Sequence, residues 1–475
     1  MLIGGQWRGA AGNATYTVKN PATGEVVGTV ADGSVADARA AIEAAAAAFP
    51  AWSKMPAEKR SELLYRAWTL MVERTDRLAR ILTLENGKPL AESRGEVGAA
   101  ASYLQWAAEE AKRIYGRTIP GNVENRRLMA IKQPVGVVAA ITPWNFPSSM
   151  ITRKAAPALA AGCTVVLRPA SQTPYSAIEL FKIFHEVGIP AGVVNIITGK
   201  DSAGIGKELA TNPLVRKITF TGSTEVGKQL MALAASTVKR VSMELGGHAP
   251  FLVFADADLD LAARGAVQSK YRNAGQTCIC TNRLYVERSV ADVFAAKLSD
   301  IVGALKIGNG LQDGVQIGPL IDERAREKVQ DQVEDAVAKG AKLLVGGKRL
   351  DSGEYANGFF YQPTVVNGAT REMKVVTEET FGPLLPIIPF DTEEEAIRLA
   401  NDSNYGLAAY FYTNDLGRSW RVAEALEYGI VGVNDPLPTD AKLPFGGVKE
   451  SGMGRENGAE AIEAFLETKA VAIMI

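Results

Sequence analysis

The chain has 475 residues, enough for about three domains of ordinary size. It carries 52 lysines and arginines against 53 acidic residues, and 47% of its residues are hydrophobic, which is typical of a globular protein with a large core. The net charge of −1 gives no electrostatic reason to expect a nucleic acid or an anionic membrane as a partner.

Histidine and cysteine are scarce, with only His185, His248, Cys163, Cys278 and Cys280. So few soft ligands disfavour a zinc or iron–sulfur site, and three cysteines do not make a disulfide framework. The amino terminus lacks the pattern of a signal peptide, and no stretch reaches the roughly 18 apolar residues of a membrane span. The sequence therefore predicts a cytoplasmic protein without a metal centre or membrane segment.

In chain order, a small β segment at 16–30 precedes helical stretches at 35–48, 56–84 and 91–114. From residue 135, short β-branched runs alternate with helical segments, which predicts a doubly wound α/β sheet. The predicted buried parallel strands are 135–141, 164–167, 193–197 and 217–220, and the predicted helices between them are 155–161, 176–187 and 202–210.

A second alternating block runs from about residue 250 to 428, with predicted strands near 251–254, 284–286, 342–345 and 385–389. The chain ends in an apolar strand, 468–475. Such a strand pairs either with its own sheet or with a partner subunit, and the sequence leaves both open.

The turn 220–227 follows a predicted strand and opens a predicted helix at 225–235. Its glycines, Gly222 and Gly227, suit a phosphate-binding turn, but an ordinary strand–helix turn has the same appearance. The spacing differs from the usual dinucleotide fingerprint, and Gln229 stands where a phosphate loop needs Ser or Thr, which argues against an ATPase.

Three further residues are candidates for chemistry. Glu244 precedes a Gly-Gly pair, where burial would raise its pKa toward that of a general base, although it could equally just end a strand. Cys278 lies in Gly275-Gln-Thr-Cys, which predicts an exposed loop with polar donors and a nucleophilic thiol, whereas Cys163 has the apolar surroundings of a core residue. Asn145, between two prolines, could donate to an oxyanion or only to its own backbone. His185 and His248 have no predicted role.

Together these motifs resemble the aldehyde dehydrogenase superfamily over essentially the whole chain, with the succinate-semialdehyde dehydrogenase branch as the nearest likeness. The resemblance rests on six motifs: PWNFP (143–147), FTGSTEVG (220–227), ELGG (244–247), GQTCIC (275–280), EETFGP (378–383) and PFGGVKESGMGRE (444–456). It implies a Rossmann-type cofactor domain (1–120 and 138–246), an α/β catalytic domain (247–446) and a small β oligomerisation domain (121–137 and 460–475). A homodimer or homotetramer is the expected assembly.

The resemblance also implies roles for individual residues. Cys278 would be the nucleophile, Glu244 the general base and Asn145 an oxyanion donor, with Lys154 near the cofactor. The implied cofactor residues are Thr142, Pro143, Trp144, Arg168, Ala170, Ser171, Gly222, Ser223, Gly227, Leu245, Glu379 and Phe381.

Differences within the family pattern refine the prediction. Arg153 and Arg272 stand where relatives that oxidise apolar aldehydes have apolar residues, so they favour a substrate with a distal carboxylate, namely succinic semialdehyde. Phe146, Thr439 and Phe445 are the other implied substrate residues, while Asp440 would repel an anion if it pointed inward. Glutarate semialdehyde or another small aldehyde is the alternative.

Ser171 replaces the glutamate that is common in NAD-preferring members, and Arg168 keeps a cation nearby, which favours NADP⁺ over NAD⁺. Cys280, two residues after the nucleophile, is implied as a redox partner of Cys278. A non-catalytic nucleotide-binding protein would be expected to lack Cys278, Glu244 or Asn145, and all three are present.

Overall fold

Two mainly parallel sheets flank the short segment 245–248 in this computed structural model, which describes all 475 residues. The strand Arg240–Glu244 belongs to the first sheet and Ala249–Val253 to the second, so the chain crosses between the sheets within four residues. The predicted α/β architecture is confirmed.

The first sheet contains five parallel strands, in the sheet order third, second, first, fourth and fifth along the chain. This is the strand order of the Rossmann fold, whose ligands bind at the carboxyl ends of the strands beside the first and fourth. In chain order they are Val137–Ile141, Thr164–Arg168, Val194–Ile196, Val215–Thr221 and Arg240–Glu244, and short antiparallel strands complete the sheet at Leu2–Ile3, Gln6–Trp7 and Gly452–Met453.

Alternate residues of these strands pack against helices on opposite faces. Val138 and Ala140 join one core cluster, while Val137 and Ala139 join the other. The sheet is therefore covered on both faces, as the near-continuous apolar runs in its strands predict.

The second sheet has six parallel strands and one antiparallel edge strand. The predicted strands are all present, but three others lie outside the predicted set: Thr364–Asn367, Ala408–Tyr412 and Ile430–Val433. The remaining strands are Ala249–Val253, Thr281–Glu287, Leu384–Phe390 and the edge strand Lys342–Val345.

The terminal strand Leu466–Met474 pairs antiparallel with Arg126–Pro134, which in turn pairs with Arg117–Ile119. The terminal strand thus belongs to a sheet of its own chain, and one of its edges is free. Further two-stranded pairs are Thr15–Lys19 with Val26–Ala31, Arg349–Leu350 with Phe360–Tyr361, and Tyr405–Gly406 with Val448–Lys449.

The helical stretch 56–84 is two helices rather than one, because the chain bends at Arg74. The Thr75 hydroxyl donates to the carbonyl oxygens of Met71 and Val72, a back-bonding pattern that bends helices. The helices are Val35–Ser53, Ala57–Glu73, Thr75–Asn86, Leu90–Glu110, Pro147–Ala161, Pro174–Glu186, Ser202–Thr211, Thr224–Ala234, Leu259–Tyr271, Ala291–Gly303, Glu323–Ala338, Lys374–Thr377, Glu393–Asn401, Leu416–Ala425 and Glu460–Glu463.

The predicted helix 155–161 begins earlier than expected, at Pro147. Proline suits the first helical position, since its missing N–H would have no partner there. None of the helices combines the length and apolar character that crossing a bilayer requires.

Phe251 provides a test of how the second sheet is stabilised. Its ring is fully buried and stacks on Tyr412, with 5.0 Å between the ring centroids. Phe251→Ala should lower the free energy of unfolding by about 3–5 kcal/mol through lost burial and a residual cavity. Urea titration followed by tryptophan fluorescence measures this, with Val293→Ala, at a 55% exposed position, as the control. Equal midpoints for the two variants would contradict this packing.

Candidate active site

The segment that joins the two sheets also brings Glu244 and Cys278 to one region. Glu244 is the buried last residue of its strand. A Cβ atom on Gly247 would lie 2.2 Å from the carbonyl oxygen of Cys278, so only glycine allows the nucleophile loop to pack here. A Cβ on Gly446 would lie 2.8 Å from Glu244 Oε1, so the carboxylate occupies space that any other residue would fill.

The loop before Cys278 has an unusual backbone. Asn273, Ala274 and Gly275 have φ values of 51°, 53° and 76°, which is the left-handed region. For asparagine and alanine this conformation is strained and needs support from the surroundings. Asn273 receives that support on both sides, because its N–H donates to Glu92 Oε2 at 2.7 Å and its Nδ2 donates to the carbonyl oxygen of Asn145 at 2.9 Å.

The expectation that Gly275, Gln276 and Thr277 form an exposed loop is wrong. All three are buried, while Cys278 itself is partly exposed. The polar side chain of Gln276 tolerates burial because it is hydrogen-bonded: Nε2 donates to the carbonyl oxygen of Asn273 at 3.0 Å, and Oε1 accepts from the N–H of Ile321 at 2.9 Å.

Burial raises the pKa of the Cys278 thiol to about 12, and the carboxylates of Glu379 and Glu244 act in the same direction. Arg153 opposes them, since its positive charge favours the thiolate. The resting thiol is therefore protonated at neutral pH, and this guanidinium is the nearby charge that favours its ionisation.

The side chain of Asn145 bonds its local backbone and also reaches the nucleophile loop. Its Oδ1 accepts from the N–H of the next residue, Phe146, at 3.1 Å, and its Nδ2 donates to the carbonyl oxygen of Gln276 at 3.1 Å. An amide nitrogen has two hydrogens, so one donor remains available beside the nucleophile loop.

Glu244 is one of two buried carboxyl groups that interact. Burial and the charge of Glu456 raise the pKa of Glu244 well above its usual value, whereas Arg153 and Lys154 lower it. Its Oε2 is buried and has no hydrogen-bond partner. A carboxylate in this state can accept a proton from a water molecule that enters the site.

Glu456 is the main residue that sequence reasoning missed. Its carboxylate bonds Lys154 Nζ and lies 3.1 Å from Arg153 Nε, so it holds two neighbouring residues of one helix. The cations keep the pKa of Glu456 below its usual value despite burial. Its position at the end of the motif 444–456 could have indicated that it belongs to the site. Lys154 is thus engaged by Glu456 and fully buried.

All five predicted substrate residues line one cavity of about 420 Å³ together with Cys278. Both guanidiniums reach it from different elements, Arg153 from a helix and Arg272 from the turn before the nucleophile loop. The members of this set are Phe146, Arg153, Arg272, Cys278, Thr439 and Phe445.

The two arginines have different surroundings. Arg153 is paired with Glu456, and its guanidinium lies over the Phe445 ring, 3.6 Å from the centroid. Arg272 has no ion pair, its Nε is buried without a partner, and its guanidinium lies 5.1 Å from the Phe146 ring centroid. The positive charge of Arg272 is therefore the less compensated of the two.

Asp440 does not line the cavity that contains Cys278. It is exposed, and its Oδ1 accepts from the N–H of Lys442 at 2.9 Å. Thr439, next to it, does line the cavity. The Asp440 carboxylate is therefore not part of the cavity wall and does not face an anion bound there.

The residues implied to bind a cofactor lie where the strands of the first sheet end. Thr142-Pro143-Trp144 follows the first parallel strand, and Gly222-Ser223 follows the fourth. The helix Thr224–Ala234 begins there, with Ser223 as its capping residue. Gly227 packs against Leu245, where a Cβ would lie 2.4 Å from Leu245 Cδ2. The predicted strand–turn–helix at 220–227 is confirmed, and it adjoins the crevice between these strands.

Arg168 ends the second parallel strand, and Ala170 and Ser171 follow it. The guanidinium of Arg168 is buried, donates to the carbonyl oxygen of Gly199 at 3.2 Å and contacts Ser202, while its Nε has no partner. Ser171 is partly exposed and borders a cavity that Glu85 and Lys200 also line.

Glu379 and Phe381 reach the same crevice from the second sheet's side. Glu379 Oε1 accepts from the N–H of Gly247 at 3.0 Å, and burial raises the pKa of Glu379 to about 6. The Phe381 ring packs edge-on against Trp144, with 5.6 Å between ring centroids. Residues from both sheets therefore border the crevice.

The remaining cysteines and histidines lie in structural settings. Cys163 is fully buried in the core of the first sheet, as predicted. Cys280 is also fully buried, and its Sγ lies 3.2 Å from the carbonyl oxygen of Gly275 and 3.8 Å from Lys270 Nζ. His248 bonds the carbonyl oxygen of Val376 at 2.8 Å, and His185 is exposed.

Comparison with known proteins finds members of one enzyme family that match this chain over nearly its whole length. The model of the aldehyde dehydrogenase family matches residues 7–471. A glutarate-semialdehyde dehydrogenase of Pseudomonas putida is 56% identical over 100% of this chain and 97% of its own length. An NADP(+) succinate-semialdehyde dehydrogenase of Escherichia coli is 54% identical over 99% of this chain and 97% of its own length.

Solved structures agree with these relatives. The crystal structure of a succinate-semialdehyde dehydrogenase from Burkholderia pseudomallei superimposes with a TM-score of 0.97 at 51% identity, covering 100% of this chain and 97% of that one. An E. coli NADP-dependent enzyme gives a TM-score of 0.97 at 54% identity, covering 100% of this chain and 98% of that one. This chain therefore belongs to the aldehyde dehydrogenase family.

Proposed function

We propose that this aldehyde dehydrogenase oxidises a small aldehyde with a distal carboxylate, succinic semialdehyde ahead of glutarate semialdehyde, and prefers NADP⁺ to NAD⁺. The observation that carries the proposal is the cavity shared by Cys278, Arg153 and Arg272. Two guanidiniums beside one thiol suit a substrate with an aldehyde at one end and an anion at the other. Relatives above 50% identity bear the names of both semialdehyde enzymes.

The reaction begins when the Cys278 thiol loses its proton to solvent and the resulting thiolate attacks the aldehyde carbon. The C–S bond forms and the carbonyl oxygen takes the negative charge. The free N–H of the Asn145 amide and the backbone N–H of Cys278 hold this oxyanion, and such preorganised donors stabilise the transition state without reorganising. Arg153 assists by favouring the thiolate.

A bound nicotinamide dinucleotide phosphate would supply the acceptor for the hydride on the former aldehyde carbon. Loss of that hydride, with the oxyanion electrons restoring the C=O bond, would leave a thioester on Cys278. Glu244 then takes a proton from a water molecule, which attacks the thioester carbon. The C–S bond breaks, the acid departs, and the sulfur takes up the proton that Glu244 had accepted, which restores the resting Cys278 thiol.

The residues at the crevice fit a nicotinamide dinucleotide phosphate. Thr142 Oγ1 and Arg168 Nε are buried at the ends of neighbouring parallel strands and have no protein partner. Buried polar atoms of this kind are normally satisfied, so a polar ligand across the strand ends accounts for both. Arg168 with Ser171 would hold a 2′-phosphate, and Glu379 would hold the ribose on the nicotinamide side.

A homo-oligomer is part of the same proposal. The terminal sheet exposes Ile473, Met474 and Ile475 on its outer strand, together with Ile131 on the next strand. An exposed edge with apolar side chains suits pairing with a second copy, and a dimer or tetramer would cover it. Cytoplasmic location remains a prediction from the cysteine content. A redox pair of Cys278 with Cys280 also remains a prediction, and both cysteines are free in this structure.

Glu244→Gln tests the hydrolysis step. We expect kcat to fall by roughly 10²–10⁴-fold, while a first-turnover burst of reduced cofactor remains, because thioester formation does not need the base. In the unsubstituted enzyme, the raised pKa of Glu244 means that the active carboxylate form is lost as the pH falls through it, so activity rises with pH. Rapid-mixing absorbance measures the burst. Glu450→Gln, which removes an exposed carboxylate paired with Lys228, is the control. Unchanged steady-state turnover would refute this role.

Arg272→Ala and Arg153→Ala test the carboxylate-binding cavity. Loss of the uncompensated Arg272 charge should raise the KM for succinic semialdehyde by roughly 10–100-fold, the size of a lost charge-assisted hydrogen bond. Arg153→Ala should raise KM and also lower kcat, because Glu456 and Cys278 lose a cation. Butanal, which has no carboxylate, is the comparison substrate. Unchanged KM in both variants would exclude the proposed clamp.

Ser171→Glu tests the cofactor preference. A carboxylate at this position would repel a 2′-phosphate and bond a free ribose hydroxyl, so the ratio of kcat/KM for NADP⁺ to that for NAD⁺ should fall at least about tenfold. Ser171→Ala, which adds no charge, should leave the ratio near its original value. A strong NAD⁺ preference in the unsubstituted enzyme would contradict the assignment.

A further inference from the structure

Two acidic residues, Glu92 and Glu96, lie in the wall of the substrate cavity. Glu92, in the first turn of the helix Leu90–Glu110, borders the same cavity as Arg272 and Cys278. A carboxylate is an unexpected lining for a site that binds an anion, since like charges repel.

A hydrogen bond fixes Glu92 in this position. Its Oε2 accepts from the N–H of Asn273 at 2.7 Å, directly beside Arg272 in the chain. Asn273 begins the left-handed turn that leads to the nucleophile. Glu92 therefore cannot swing away from the cavity without leaving a strained backbone N–H unpartnered.

The charges around Glu92 leave Arg272 as its free counter-ion. Lys88 and Arg272 favour the ionised form of Glu92, and Glu96 opposes it. Lys88, however, is held by Glu96, with Nζ and Oε2 2.5 Å apart. On the other side of the cavity Arg153 is paired with Glu456. Arg272 alone among these cations has no carboxylate partner of its own.

We propose that Glu92 is a specificity-determining residue, whose carboxylate competes with the distal carboxylate of the substrate for the Arg272 guanidinium. This inference rests on the proposed function, because it takes Arg272 as the group that binds the substrate anion. Glu92 thus tunes how strongly the enzyme distinguishes anionic from neutral aldehydes.

The competition depends on pH. Burial raises the pKa of Glu92 to about 7. Below that pH the carboxyl is neutral and Arg272 is fully available to the substrate. As the pH rises through this value the carboxylate forms, and binding of an anionic aldehyde weakens, whereas binding of a neutral aldehyde does not change.

The experiment measures kcat/KM for succinic semialdehyde divided by kcat/KM for butanal, from about pH 6 to about pH 8.5. Titration of Cys278 and Glu244 affects both substrates and cancels in this ratio. We expect the ratio to fall several-fold as the pH rises in the unsubstituted enzyme. In Glu92→Gln it should be high and independent of pH, because glutamine still accepts from Asn273 N–H but carries no charge.

Two further variants distinguish a failure of the inference about Glu92 from a failure of the proposed role of Arg272. Asp76→Asn removes an exposed carboxylate that pairs with Arg94, and it should retain the original pH dependence. Arg272→Ala should lower the ratio at every pH. If it does not, the anion-binding role of Arg272 is wrong; if it does and Glu92→Gln keeps the original slope, only the inference about Glu92 is overturned. A ratio that is flat with pH in the unsubstituted enzyme also overturns it, whether or not the variants fold.

Discussion

The buried ion cluster of Glu456 with Arg153 and Lys154 is the interaction on which the site depends. It joins the motif 444–456 to the helix Pro147–Ala161, and its charge acts on the nearby Glu244. Removing one member of a buried pair typically costs about 3–5 kcal/mol, because the other charge stays buried without compensation. The same cluster therefore holds the motif 444–456 against this helix, and after burial it is the main influence on the pKa of the proposed base.

The nucleophile loop depends on support from several directions. Residues in the left-handed conformation cost on the order of 1–3 kcal/mol each unless the surroundings fix them. Here Glu92 and the carbonyl oxygen of Asn145 hold Asn273, and the buried side chain of Gln276 holds the next turn. Asn145 thereby serves two purposes, since its backbone braces the loop while its side-chain amide lies beside the proposed oxyanion.

How far the sequence could predict this arrangement depended on the range of each interaction. Local patterns predicted four of the five parallel strands of the first sheet and the turn at 220–227, because strand periodicity and turn chemistry act within a few residues. Glu456 was missed because its partner Lys154 lies 302 residues away. Gln276 was expected in an exposed loop because polarity alone does not reveal that Ile321, 45 residues away, supplies a buried partner. In the sequence, Glu92 looks like any residue on the polar face of a helix, because Asn273, to which it is hydrogen-bonded, lies 181 residues away.

Under the proposed function, charge would govern substrate choice in this cavity more than shape does. Pockets of about 300–1,000 Å³ enclose drug-sized ligands, and at about 420 Å³ this cavity exceeds what a four- or five-carbon semialdehyde fills. The walls therefore exclude neither chain length strongly. In the proposal, anionic and neutral aldehydes are distinguished by the charges of the wall, in which Arg153 is already paired with Glu456 and Arg272 is opposed by Glu92. Because these charges nearly cancel, one carboxyl group that gains or loses a proton near neutral pH changes their balance by a large fraction.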